Sequence, residues 1–357
     1  MTRLIPNTNL RPSLLAYGNF VFGTNWWGDF TDDDAVRLQN HAVDRGVTLF
    51  DTAPAYGNYR AERLLKPTIE YAGRDNLVIS TKFGYDLESD PGDDSDTRHR
   101  ERQQNFTPEH VRQELDESMR RIGVNHIDLY QAHNVKLAHY SDALFGVLDD
   151  LKAEGKIGAW GVALGPAIGW REEGHVALER GADTVQTVFN LYEQDLGREL
   201  CEAVQHRGRG GVIARVPSNS GILDEEFTSP DFKFPPHDHR KYRDRAWLVY
   251  GLKKNEILRP LAADLGLTIQ QLALRWLASQ PGLVSIEPNL LSEDSIDAHA
   301  AALDGTTLPD DVLAELRRLY ETDFGLGDAA HPCDFKSSTA EGGTLRAAYV
   351  PPAVLQS

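Results

Sequence analysis

Phe50-Asp51-Thr52-Ala53-Pro54-Ala55-Tyr56-Gly57 sets a carboxylate and a phenol just beyond Val47-Thr48-Leu49-Phe50, an apolar run that reads as a buried strand. Two later runs end in the same way. Leu77-Val78-Ile79-Ser80-Thr81 leads into Lys82, and Ile127-Asp128-Leu129-Tyr130-Gln131-Ala132 leads into His133. Together these four groups can move a proton. A phenol, with an ordinary pKa near ~10, protonates a carbonyl oxygen as a hydride reaches the carbon. An ammonium at Lys82 favours phenolate and draws that pKa toward working pH, while Asp51 keeps the ammonium charged and oriented. His133 donates a second hydrogen bond that fixes the carbonyl's direction. Taken singly, an Asp at a strand end often caps a helix, a Tyr packs, and a His is a satisfied structural residue. The four in order at the ends of candidate strands two, three and four outweigh those readings.

Eight short apolar runs supply the strands that such a site needs: residues 14–17, 47–50, 77–81, 127–131, 159–162, 184–188, 211–215 and 283–286. Amphipathic segments of helical period lie between them. The clearest spans 108–122, with Val111, Leu115, Met119 and Ile122 on one face, Thr107 as cap, Pro108 in the first turn and Gly123 as a left-handed exit. Another spans 32–45, with Thr31 and Asp34 as a capping pair. Strands that are nearly continuously apolar imply parallel pairing, and closing all eight into a (β/α)₈ TIM barrel leaves no exposed edge. A doubly wound open sheet is the alternative, but no Gly-x-Gly-x-x-Gly follows any strand. The expected organisation is one barrel over residues 1–322. A C-terminal extension over 323–357 then folds across the barrel face or is partly disordered.

Lys plus Arg total 37 against 54 Asp plus Glu, so the net charge of −17 repels phosphate backbones and acidic membrane surfaces. Neither nucleic acid nor membrane is an expected partner. The first residues, MTRLIPNTNLRPS, carry no apolar signal core, and the expected location is the cytoplasm. Cys201 and Cys333 lack metal or redox spacing. His237-Asp238-His239 has the look of a metal pair but no third ligand at recognisable spacing, so it reads as a solvated loop and no metal is expected. Trp26, Trp27 and Trp170 either line a pocket or pack on the barrel rim.

The order and spacing of Asp51, Tyr56, Lys82 and His133 resemble those of the aldo-keto reductases. Supporting pieces are Glu62-Arg63-Leu64-Leu65, Ile79-Ser80-Thr81-Lys82-Phe83-Gly84 and Ile127-Asp128-Leu129-Tyr130-Gln131-Ala132-His133, and the likeness runs from about Leu14 to about Leu319. It implies a (β/α)₈ barrel, NADP(H) extended across the carboxyl-end face, and those four residues as the catalytic tetrad. By the same resemblance the cofactor is held by Gly18, Asn19 and Phe20 after the first strand, by Asp51, by Gln186, by Arg215 with Pro217 and Gly221 in a pyrophosphate-covering loop, and by Ser292.

Four departures matter. Ala163-Leu164 stands where the family has Ser-Asn for the carboxamide, and Arg215 where an aromatic ring stacks on the nicotinamide. Leu291 replaces the cation that pairs with the 2′-phosphate, which opens the site to NAD(H), and His299 replaces an Asn near the adenine. Glu287, beside that segment, either favours a ribose hydroxyl over a phosphate or points into solvent.

The expected function is hydride transfer between a nicotinamide cofactor and a small carbonyl, alcohol or sugar substrate, with a homo-oligomer allowed. The alternatives are a lyase forming a Schiff base on Lys82 and a non-catalytic nucleotide-binding barrel.

Overall fold

The apolar runs form eight strands in a computed structural model that describes residues 1–90, 102–165, 170–327 and 330. These are β1 Ala16–Gly18, β2 Leu49–Asp51, β3 Val78–Phe83, β4 Ile127–His133, β5 Ile157–Ala163, β6 Thr184–Val188, β7 Gly211–Arg215 and β8 Leu283–Glu287. They pair in sequential order, every pair parallel. Leu15 bridges Ile286 in parallel, and the Ile286 amide donates to the Leu14 carbonyl at 2.7 Å, which ties β8 back to β1. That contact closes the barrel. Its floor is filled by Ile5, Ala16, Leu49, Leu129, Ala159, Ile213 and Val284, while the outer strand faces pack on the helices.

β3 and β4 run further than their apolar stretches, so Lys82 and His133 stand within strands rather than after them. Lys82 is paired inside the barrel and Phe83 packs its ring 4.5 Å from Tyr130, so a charge in the sequence does not end the ladder. The helices Asp32–Asp44 and Pro108–Ile122 form with the caps read from the sequence, including the Thr31/Asp34 box and Gly123 at φ 83°. Arg121 of the second helix binds both Glu114 and Glu62, and Glu62 accepts from the Thr81 hydroxyl at 2.7 Å. This chain of polar contacts fixes the residue next to Lys82 against the outer layer.

The long β7 connection ends at the helix Arg245–Asp264 and is well tied down. Arg240 joins Asp238 to Glu226, and Arg245 donates to the Phe232 carbonyl. Phe324 packs edge-on to Tyr192 at 5.4 Å; the greater part of the expected C-terminal extension, and residues 91–101 of the segment between β3 and the helix Pro108–Ile122, lie outside the described residues. Among the described residues no helix is long and apolar enough to cross a membrane.

Candidate active site

Strand register brings the tetrad together. Asp51 ends β2 opposite Gly18 on β1 and Ser80 on β3, and Lys82 stands opposite Gln131 on β4. The Ser80 hydroxyl donates to one Asp51 oxygen at 2.7 Å and the Gln131 amide donates to the same oxygen at 3.2 Å. The other oxygen holds the Lys82 ammonium, which also donates to the Thr52 carbonyl at 2.9 Å. Lys82 is only 1 % exposed, so these partners decide whether its charge survives. Burial opposes the ammonium, but Asp51, Tyr56 and Glu287 outweigh it and raise the Lys82 pKa.

The ammonium lies 4.8 Å from the Tyr56 ring centre. Burial pushes the Tyr56 phenol up to about 12; Lys82 pulls it down, while Asp51 and Glu287 push it further up. The expected pull from Lys82 is present, yet burial exceeds it, and the phenol keeps its proton at neutral pH. His133 meets Tyr56 edge-on at 5.7 Å and Tyr85 at 5.0 Å.

An aromatic wall rises beside the phenol. Phe20 is edge-on to Tyr56 at 5.0 Å and to Trp26 and Trp27 at 5.5 Å each. His239 stacks on Trp26 at 4.2 Å, so the motif read as a solvated loop instead supplies a ring to this wall, while Asp238 is held by Arg240. Among the described residues no group of three or more His, Cys, Asp or Glu is placed to hold a metal. Trp170 belongs to the rim: it is buried, and a Cβ on Gly165 would overlap its ring.

The residues expected to hold a cofactor divide into two sets. Gly18, Phe20, Gln186 and Arg215 surround the mouth near Tyr56, and Glu287 joins them. The Gln186 amide donates to the Glu287 carboxylate at 2.6 Å, and a Cβ on Gly18 would overlap that carboxylate. Glu287 is thus half-buried and turned toward Gln186 and Gly18. Arg215 reaches across to the Leu164 carbonyl at 2.9 Å and to that of Gly165, and its Nε is buried without a hydrogen-bond partner. In the following loop Val216, Asn219, Ser220 and Gly221 all have positive φ, and Pro217 is buried. Arg240 donates to the Ser220 carbonyl at 3.1 Å and Arg243 to its hydroxyl at 2.8 Å.

The second set faces elsewhere. Asn19 is wholly buried, donating to the Asp51 carbonyl at 3.1 Å and accepting from Gln39 at 2.7 Å. It locates the end of β2. Ser292 is exposed and caps the helix Glu293–Ala302, Leu291 is half-buried, and His299 is buried against the Ser295 carbonyl at 2.7 Å.

These groups suit a nicotinamide dinucleotide. A carboxamide needs both donors and acceptors; Arg215 Nε offers the first, and Gln186 and Glu287 offer the second. The left-handed loop, with Arg243 donating at Ser220, suits a diphosphate, while Arg240 is already balanced by Asp238 and Glu226.

A model of the aldo/keto reductase family matches residues 14–321. The chain is 26% identical over 304 residues to an NADH-specific methylglyoxal reductase of Escherichia coli, covering 83% of this chain and 91% of that protein. It is 27% identical over 286 residues to an aldo-keto reductase of Bacillus subtilis, covering 78% and 81% respectively. In fold it is similar to a glycerol dehydrogenase of Gluconobacter oxydans (TM-score 0.74, 24% identity, covering 89% of this chain and 94% of that one). It is likewise similar to an aldo-keto reductase of Bacillus halodurans (TM-score 0.72, 18% identity, covering 89% and 95%). The family match takes in all eight strands, and the chain belongs to the aldo/keto reductase family.

Proposed function

We propose that the protein interconverts a small carbonyl compound and its alcohol, with Tyr56 as the group that gives and takes the proton. The observation that carries this reading is the buried Asp51–Lys82 pair set 4.8 Å from the ring of a phenol that is still protonated at neutral pH. A nicotinamide cofactor, when bound, supplies a hydride to the carbonyl carbon. Tyr56 donates its proton to the carbonyl oxygen, Lys82 steadies the phenolate left behind, and Asp51 keeps Lys82 charged. His133 directs the carbonyl from the edge of the phenol. Trp26, Trp27 and Phe20 exclude water and offer flat faces to a sugar or a small dicarbonyl. Oxidation reverses these roles.

Gly18, Phe20, Gln186, Arg215, Pro217 and Gly221 are the residues that would touch the cofactor; Asn19 acts through Asp51, and Ser292 lies at the adenosine end. There the half-buried Leu291 offers no cation, and Glu293 and Asp294 occupy the first helical turn. Arg37 nearby is already paired with Glu293. A 2′-phosphate gains nothing from these groups, so NADP(H) has no large advantage over NAD(H). The NADH-specific relative supports this choice.

A Schiff-base lyase is disfavoured by Lys82 itself, whose buried ion pair with Asp51 keeps the amine protonated and not nucleophilic. The test is turnover of methylglyoxal, glyceraldehyde and glycerol with NADH, NADPH and their oxidised forms. Cofactor-dependent turnover of at least one substrate is expected. Borohydride trapping of substrate on Lys82, without cofactor turnover, would sink the proposal.

A further inference from the structure

Glu287 is an acidic side chain at the end of β8 for which the proton transfer above has no use. Its Cα stands in register with that of Arg215 on β7, its carboxylate accepts from Gln186 on β6 at 2.6 Å, and it fills the space above Gly18 on β1. Residues of β1, β6 and β7 therefore surround it. A ring that delivers hydride to a carbonyl held by Tyr56 must lie over this part of the mouth, because the barrel floor beneath is packed and Trp26, Trp27 and Phe20 wall the other side of the phenol. Ala163, which ends β5, offers no polar side chain, and Leu164 packs against Gly174 of the following helix. Among the described residues here, Glu287 and Gln186 offer side-chain oxygens that accept a hydrogen bond.

We propose that the Glu287 carboxylate is the electrostatic partner of the nicotinamide ring, favouring the cationic oxidised form over the neutral reduced form. The inference rests on the carbonyl-reductase reading. When the hydride and its electron pair pass to the carbonyl carbon, Tyr56 supplies the proton, and the positive charge left on the ring falls beside Glu287. An anion placed there makes the bound reduced cofactor a stronger donor.

The charged and titratable groups facing Glu287 are Asp51 on β2, Tyr56 after it, Lys82 on β3 and Arg215 on β7. Burial, with Asp51, pushes its carboxyl up to about 8, and Lys82 and Arg215 hold it back. The preference is therefore present above this value and lost below it.

The probes are NAD⁺, NADH, NADP⁺ and NADPH, each titrated without substrate into the parent and Glu287→Gln at about pH 6 and about pH 9. At the higher pH the parent should favour the oxidised form, relative to the variant, by roughly tenfold in the ratio of dissociation constants, or about 1.4 kcal/mol. At the lower pH the two proteins should converge. His133 is present in both and cancels. A merely structural Glu287 would weaken both redox forms together and leave the ratio unmoved. Should the Gln protein not fold, Glu287→Ala serves as the neutral variant. Equal ratios in parent and variant at both pH values overturn the assignment of Glu287 and leave carbonyl reduction standing. Failure of the parent to bind any of the four cofactors overturns both.

Discussion

Replacing Lys82 with Met removes a cation that touches both Asp51 and the Tyr56 ring. Over the 4.8 Å from Nζ to the ring centre, Coulomb attraction to a phenolate at an effective dielectric of ~20 is worth about 3.5 kcal/mol, an upper bound for a partly hydrated site. Taking half to two-thirds of it gives roughly 20- to 50-fold in the phenolate's stability, and in the rate wherever phenolate forms in the transition state. The phenol is already pushed up to about 12 by burial, so the mutation moves it further up. In the oxidation direction, where Tyr56 must first lose its proton, the rising limb of the pH profile therefore shifts alkaline. Removing Lys82 also strands a buried Asp51 carboxylate, typically costing 3–5 kcal/mol of stability. The double variant Asp51→Asn/Lys82→Met should recover part of that stability without recovering the rate. The assay is single-turnover hydride transfer against pH in both directions, with thermal unfolding alongside. An unchanged pH profile in a folded Lys82→Met protein would refute the coupling.

Tyr56→Phe should leave cofactor affinity within about twofold and lower turnover by roughly 10²-fold or more, the scale of general acid–base catalysis, read by steady-state kinetics on a competent substrate; turnover within threefold of the parent rules out the proton role. Leu291→Arg should tighten NADPH alone by about tenfold, or ~1.4 kcal/mol, because it supplies the missing partner for a 2′-phosphate; a parent that already prefers NADPH more than a hundredfold shows that another cation serves. Gly18→Ala should weaken binding of the oxidised cofactor more than that of the reduced form, by roughly tenfold in the ratio at about pH 9, since its Cβ overlaps the Glu287 carboxylate and must displace it. Dissociation constants equal to the parent's would mean that Glu287 moves without consequence for the cofactor.

Much of the barrel can be read from local pattern, because a parallel strand covered on both faces must be apolar at nearly every position. Residues 184–188 and 211–215 form strands with the bounds that pattern gives. β1 lies two residues beyond its expected start, because Leu14 and Leu15 spend their backbone and core contacts on closing the barrel against Ile286. The role of His239 could not be read from spacing. Its partner Trp26 follows the first strand, more than two hundred residues away in sequence, and only closure brings the two together.

Glu287 was legible in principle. The rule that finds Lys82 and His133, an ionisable residue where an apolar run stops, also picks out Arg215 after Gly211-Val212-Ile213-Ala214 and Glu287 after Leu283-Val284-Ser285-Ile286. Its side chain was read instead with the residues that follow it, as part of the adenosine end. Strand register decides otherwise: a residue within a strand belongs to the barrel mouth, whereas one a few positions later belongs to the next helix cap, as Ser292 does. Because β8 closes on β1, that one position carries a carboxylate from the chain's last strand to the glycine of its first. There it shares a single low-dielectric space with Asp51, Lys82 and Tyr56. A second anion in that space raises the cost of ionising Tyr56 while rewarding a positive charge on a ring above it. In carbonyl reduction the two effects oppose each other: the first makes Tyr56 a weaker acid, and the second makes a bound reduced cofactor a stronger hydride donor.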